Sequence, residues 1–298
     1  MSEHASGNAP LPDVPSAERS FREVDGVDLH VVAAGDPADP LAVLLHGFPE
    51  FWYEWRAYVE PLVDAGYRVL VPDQRGYNRS DKPTRLDAYR MGRLSADVVE
   101  LVESEGRDAA HVVGHDWGAA VAWDAALRYP DAVDRLGIIN VPHPAVFERV
   151  LKTRPRQLLK SWYMFYFQLP GLPEWNVRRT EYDLLAATMR RGARPGTFSA
   201  TDFERYRAAW AEEGALTAMI NWYRAVFRRR DDPPRERVAA PTLVLWGEND
   251  QALVPELAPK SVAYCDDGRL ERFPDATHWL PHEEPDRVAE LLVEHLDG

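Results

Sequence analysis

The chain has 298 residues, 45% of them hydrophobic, enough for one large α/β domain with an insertion. Its net charge of −13 argues against nucleic acid and anionic membrane surfaces as partners. The lone cysteine, Cys265, excludes an internal disulfide and fits a reducing, cytoplasmic setting; no signal-peptide pattern or membrane-length apolar run is seen.

Residues 1–16, with Pro10, Pro12 and Pro15, read as a flexible tail. The first part of the α/β core is expected over 17–143. Strands are predicted at 27–34 and 41–46, separated by the turn Gly35-Asp36-Pro37. The second strand runs into His46-Gly47-Phe48-Pro49. The spacing then predicts a helix over 51–65, closed by Gly66, and a strand over 67–72. An amphipathic helix is predicted from 94 to 105, with Leu94, Val98, Leu101 and Val102 on one face.

Residues 110–129, AHVVGHDWGAAVAWDAALRY, organise the reading. A short apolar strand turns through Gly114-His115-Asp116-Trp117-Gly118 into an Ala-rich helix that Pro130 stops. Strand, sharp turn and helix are the context of a G-x-S-x-G elbow, with Asp116 where that motif carries serine. The exchange changes the chemistry. Serine must lose a proton before it attacks, whereas an aspartate is already ionised near neutral pH. It can displace at a saturated carbon and leave an alkyl-enzyme ester, so a base is needed only later, to activate water.

A strand at 136–141 follows. From 144 to 237 no strand is predicted. Leu159, Trp162, Tyr163 and Tyr166 recur at helical spacing, as do Leu216, Met219, Ile220, Tyr223 and Phe227, so this stretch reads as a helical cap, or lid. The charged run 228–232 is placed on a solvated face at its exit. The core resumes over 238–298, with strands at 242–247 and 270–273 and a closing helix at 287–295. Alternating strands and helices imply a mostly parallel sheet covered on both faces.

Asp116, Asp250 and His278 all follow predicted strands, so in a parallel sheet they share the edge where ligands bind. Their order is nucleophile, acid, histidine. His278 is assigned as the base for water and Asp250 as its orienting partner. Asn140 holds a competing position for the acid but carries no charge. The backbone N–H groups of Phe48 and Trp117 are candidates for an oxyanion hole.

With these residues in view, the sequence resembles the epoxide hydrolases of the α/β-hydrolase superfamily over nearly its whole length beyond the tail. The matching stretches are HGFPEFWYEWR at 46–56, DQRGYNRSDKP at 73–83, GHDWGAAVAW at 114–123 and NVPHP at 140–144, with WYMFYFQLPG at 162–171 and NWYRA at 221–225 in the cap. The resemblance implies the α/β-hydrolase fold and the conversion of an epoxide and water to a vicinal diol, with no cofactor and no metal. It assigns Tyr163 and Tyr223 as acids that protonate the ring oxygen; Tyr166, three residues on, is a neighbour of the first. His46, Trp52, Trp162, Phe165 and Met219, with Trp175, are expected to form an apolar substrate pocket. A homodimer is compatible with the chain, though nothing in it calls for one. Asn78 stands where relatives usually have glycine, and asparagine tolerates positive φ. Met164 and Phe165, beside Tyr163, are expected to alter pocket shape.

Dehalogenases on the same fold, which also carry an elbow aspartate, are the alternative. Haloalkane dehalogenases usually hold halide with a side-chain amide where this chain has Phe48. Fluoroacetate dehalogenases have an arginine after the nucleophile and a His-Trp pair where this chain has Tyr163-Met164.

Overall fold

The structure, a computed structural model, describes residue 14 and residues 16–298. Eight strands form one sheet: β1 (Glu18–Val24), β2 (Val27–Ala34), β3 (Leu41–Leu45), β4 (Arg68–Pro72), β5 (Ala110–His115), β6 (Val133–Ile139), β7 (Thr242–Gly247) and β8 (Gly268–Phe273). Their order is β1-β2-β4-β3-β5-β6-β7-β8. β1 pairs antiparallel with β2, and β2 with β4; every other pairing is parallel. All residues of β3, β4 and β7 are buried, so these strands read as continuous apolar runs rather than alternating ones.

β1 was not expected, because its residues, ERSFREV, are mostly charged or polar and half-exposed at the sheet edge. The signal that marks it is the two-residue turn Asp25-Gly26, with φ of 41° and 70°. Positive φ at both positions is the hairpin turn that matches strand twist. The single helix expected over 51–65 is instead a 3-10 segment, Trp52–Ala57, followed by the helix Val59–Asp64. Pro61 has no N–H to donate four residues back, so the ladder cannot run through from the first segment to the second. Of the expected tail, residues 1–13 and 15 lie outside the described residues. Its described end is anchored: Val14 is fully buried, and the Ser16 hydroxyl donates to Glu60 Oε1 at 2.6 Å.

Between β6 and β7 the described chain forms seven helices: Pro144–Thr153, Pro155–Lys160, Trp162–Tyr166, Leu172–Arg179, Asp183–Gly192, Ala200–Ala211 and Ala215–Arg228. Their polar ring atoms tie them to loops that leave the carboxyl ends of the strands. The Trp222 indole donates to Arg75 O (3.0 Å), the Trp210 indole to Pro49 O (2.5 Å) and the Tyr206 hydroxyl to Glu50 Oε1 (2.5 Å). Buried Tyr and Trp need such partners, and here that need seats the inserted helices over the ligand-binding edge. Among the described residues, no helix is long and apolar enough to cross a membrane.

Candidate active site

Asp116 sits between β5 and the helix Trp117–Arg128 at φ 48°, ψ −124°, a conformation that costs a non-glycine residue about 1–3 kcal/mol. The crowding around the turn holds it there. A Cβ on Gly118 would lie 2.0 Å from Leu45 O, and one on Gly47 would lie 2.4 Å from Asp116 Cβ. The strand-to-helix turn and the loop after β3 therefore press together with no room for side chains. That contact brings the Phe48 N–H to 2.7 Å from Asp116 Oδ1. The Trp117 N–H belongs to the first helical turn, whose amides have no partner within the helix.

Asp250 follows β7 and His278 follows β8. His278 Nδ1 is 2.7 Å from Asp250 Oδ2, and its Nε2 is 3.3 Å from Asp116 Oδ2. Asp250 Oδ1 accepts from the amides of Ala252 (2.6 Å) and Leu253 (2.9 Å). Burial pushes the Asp116 carboxyl up, but the hydrogen bond and charge of His278 outweigh it, and the net shift is down. Asp250 is likewise lowered, with burial opposed by His278 and Asn140. Burial pulls the His278 imidazole down, yet the two carboxylates raise it well above its ordinary range. The two carboxylates thus favour the charged form of the imidazole between them.

Tyr163 and Tyr223 come from separate inserted helices, and their ring centroids are 5.8 Å apart. Burial raises both phenols far above the usual range, and the charge of Asp116 adds to the effect. Both line one cavity of about 430 Å³ with Asp116, Trp117 and His278. Its walls are largely apolar, from Val141, Phe147, Met164, Phe227 and Leu253, and its lining also includes the charged side chains Glu148, Lys152 and Arg230. The solvated run 228–232 therefore also edges this cavity.

None of His46, Trp52, Trp162, Phe165 and Met219 lines that cavity, nor does Trp175. The helix Trp162–Tyr166 turns Tyr163 and Met164 inward. Successive residues rotate by about 100°, which sends Trp162 and Phe165 outward, and both are exposed. His46 is buried behind the loop, where its Nε2 accepts from Gln74 N at 3.0 Å. Trp52 gives its backbone N–H to Asp73 at 3.0 Å, and Met219 lies in the core. Tyr166 pairs with Asn176 away from the cavity, and Asn78 does adopt positive φ, at 39°.

The protein-family profile of the α/β-hydrolase fold matches residues 40–285. The superfamily protein YfhM of Bacillus subtilis is 46% identical over 93% of this chain and 96% of its own length. Human epoxide hydrolase 4 is 37% identical over 90% of this chain and 75% of its own. A crystal structure of Bacillus megaterium epoxide hydrolase in complex with an inhibitor superposes with a TM-score of 0.85, at 30% identity, over 94% of this chain and all of that one. The chain belongs to the epoxide hydrolases of the α/β-hydrolase superfamily.

Three groups of this epoxide hydrolase relative have no role assigned from the sequence. Asn140, set aside for want of charge, sits at φ 50°; its Nδ2 donates to Asp250 Oδ2 (3.0 Å) and its Oδ1 accepts from Gly247 N (2.8 Å). It is a positioning residue for the acid. Behind the elbow, His115 Nε2 lies 2.8 Å from His278 O, and its Nδ1 lies 2.7 Å from Glu54 Oε1. Burial and the neighbouring His278 lower His115 to about 4, so it is neutral. Burial first, then the charge of Glu50, raises the Glu54 carboxyl well above the carboxylate range. Its Oε2 accepts from Gly47 N (2.8 Å), bracing the loop that presents Phe48. Two acidic residues four apart, just after HGFP, were the available signal, but only the tertiary structure shows that Glu54 is the one bonded to Gly47.

Proposed function

We propose that the protein hydrolyses an epoxide to a vicinal diol through a covalent ester on Asp116. The observation that carries this reading is the placement of one ionised carboxylate and two protonated phenols on the same cavity, with an imidazole 3.3 Å from the carboxylate. Asp116 attacks a ring carbon from behind and the C–O bond opens. The developing alkoxide takes a proton from Tyr163 or Tyr223, which hydrogen-bond the ring oxygen.

Forming the ester removes the negative charge of Asp116. His278 then loses one of the two carboxylates that raise its proton affinity, returns its proton to the tyrosinate and becomes a base. It accepts a proton from water, whose oxygen adds to the ester carbonyl. The oxyanion is held by the N–H groups of Phe48 and Trp117. Collapse of the tetrahedral species breaks the ester, the diol leaves and the carboxylate is restored. The first proton of water restores His278 and the second passes to the oxygen leaving the ester, so the cycle closes and neither metal nor organic cofactor is required. The helices over 144–237 serve as the lid that carries the acids.

The side chain of Phe48 packs against the rings of Phe167 (5.6 Å) and Tyr223 (5.1 Å), an apolar setting without the amide a halide site would use. This favours epoxide opening over dehalogenation. Single-turnover reaction in heavy-oxygen water tests the mechanism. The label is expected in the Asp116 carboxylate; diol formed without it would exclude the ester. A panel of aryl and alkyl epoxides beside halo-acids, scored for diol against free halide, tests the substrate class.

A further inference from the structure

The net charge of −13 averages two regions of opposite sign. Residues 144–237 hold 18 Lys and Arg against 11 Asp and Glu, a net of +7; the rest of the chain holds 17 against 37, a net of −20. The excess concentrates further over 149–179, with seven basic residues and one acid. That acid, Glu174, is buried and paired with Arg224 at 2.6 Å. Arg149, Lys152, Arg154, Arg156, Arg178 and Arg179 are exposed.

The same stretch leaves large apolar side chains in solvent: Leu159 (74% exposed), Trp162 (63%), Phe165, Leu169, Leu172 and Trp175 (58%). The Trp162 ring lies 6.1 Å from Tyr166, whose hydroxyl meets Asn176, so the helix that carries Trp162 and the one that carries Trp175 are joined side by side. The Arg179 guanidinium stacks 4.7 Å over the Trp175 ring. Soluble proteins rarely leave such a patch uncovered without use. Trp, Phe and Leu ringed by Arg and Lys is the composition of surfaces that sit in the headgroup layer of an anionic bilayer. A two-fold contact with a second copy would set this positive face against itself, whereas an anionic lipid surface complements it. The face also adjoins the cavity: Phe227, which lines it, lies 5.5 Å from the Phe165 ring.

We propose that the basic, aromatic face over residues 149–179 docks on anionic lipid surfaces and turns the cavity mouth toward the bilayer, where apolar molecules partition. The acidic remainder then faces away from the membrane.

The test is flotation of the full chain with vesicles of phosphatidylcholine alone or mixed with phosphatidylglycerol, at low and high salt. Binding is expected only with phosphatidylglycerol and should fall as salt screens the charges. The double variant Arg154→Glu/Arg156→Glu should bind about tenfold or more weakly, and Trp162→Ser/Trp175→Ser should also lose binding; both should turn over a water-soluble epoxide like the parent. Equal flotation with both vesicle types, or undiminished binding by both variants, would overturn the proposal. So would failure to float combined with a dimer that the tryptophan variant dissociates in gel filtration, since the face would then belong to a second copy. Flotation does not depend on catalysis, so its failure leaves the proposed chemistry untouched.

Discussion

Asp116, Asp250 and His278 stand on turns that leave the carboxyl ends of β5, β7 and β8, whereas Tyr163 and Tyr223 stand on helices inserted between β6 and β7. The first group is held by short-range constraints: glycines without room for a Cβ, a positive φ, and amides of the same turn aimed at a carboxylate. The second group is held by rings packed on rings, Tyr163 and Tyr223 against Phe167 and each other. The two regions also differ in charge, acidic below and basic above. One half of the site is set by backbone geometry that tolerates no substitution. The other is set by a packed aromatic layer on a surface that is free to meet something else.

That contrast can be broken at its base first. Asp116→Asn is expected to reduce diol formation by roughly 10⁴-fold or more, read as initial rate with the deamidated fraction monitored by mass. His278→Gln should leave alkylation possible and stop hydrolysis, lowering turnover by about 10²–10⁴-fold. The decisive readout is a substrate-sized mass increase on the peptide containing Asp116. Among the aromatic acids, Tyr163→Phe or Tyr223→Phe alone should cost less than the double change, because either phenol still reaches the ring oxygen. The double variant should slow alkylation by about 10²–10⁴-fold, measured in a pre-steady-state burst. Single changes as costly as the double one would mean that the two phenols act as one unit.

A gentler probe concerns the ion triple. Asp250 is lowered and His278 raised in the folded state, from ordinary values of 3.8 and 6.5. A lowered carboxyl stabilises the fold above its unfolded pKa, and that contribution is lost as pH falls through the folded one. A raised imidazole stabilises below its unfolded pKa, and that contribution is lost as pH rises through the folded one. The pair therefore contributes fully between about pH 4 and 6.5. The melting temperature of Asp250→Asn should fall furthest below the parent's in that window and approach it in alkali. The smallest effect is expected behind the elbow. Burial raises the Glu54 carboxyl, and Glu54→Gln keeps an acceptor for Gly47, so it should stay within about 1 kcal/mol of the parent in denaturant unfolding. Glu54→Leu removes that acceptor and leaves the buried Gly47 N–H unpaired, at about 1–3 kcal/mol.

Patterns over a few residues determined much of this protein. The apolar runs at β3, β5 and β7, the Gly-x-Asp-x-Gly turn and the order Asp116, Asp250, His278 carry information locally, because a strand end and a tight turn are specified by the residues that form them. Charged β1 hid from that reading, although its Asp25-Gly26 turn did not. Only the tertiary structure decided which aromatic residues face the cavity. Tyr163 and Trp162 are sequence neighbours of similar size, and one turned inward while the other turned to solvent, because a five-residue helix has no periodicity long enough to reveal its inner face. The same holds for Glu54 and Asn140, whose roles depend on partners distant in the chain and on burial that sets where a proton rests. Charge divided differently: both its sum and its split between residues 144–237 and the rest are legible in the sequence, and the tertiary structure added which of those basic residues are exposed.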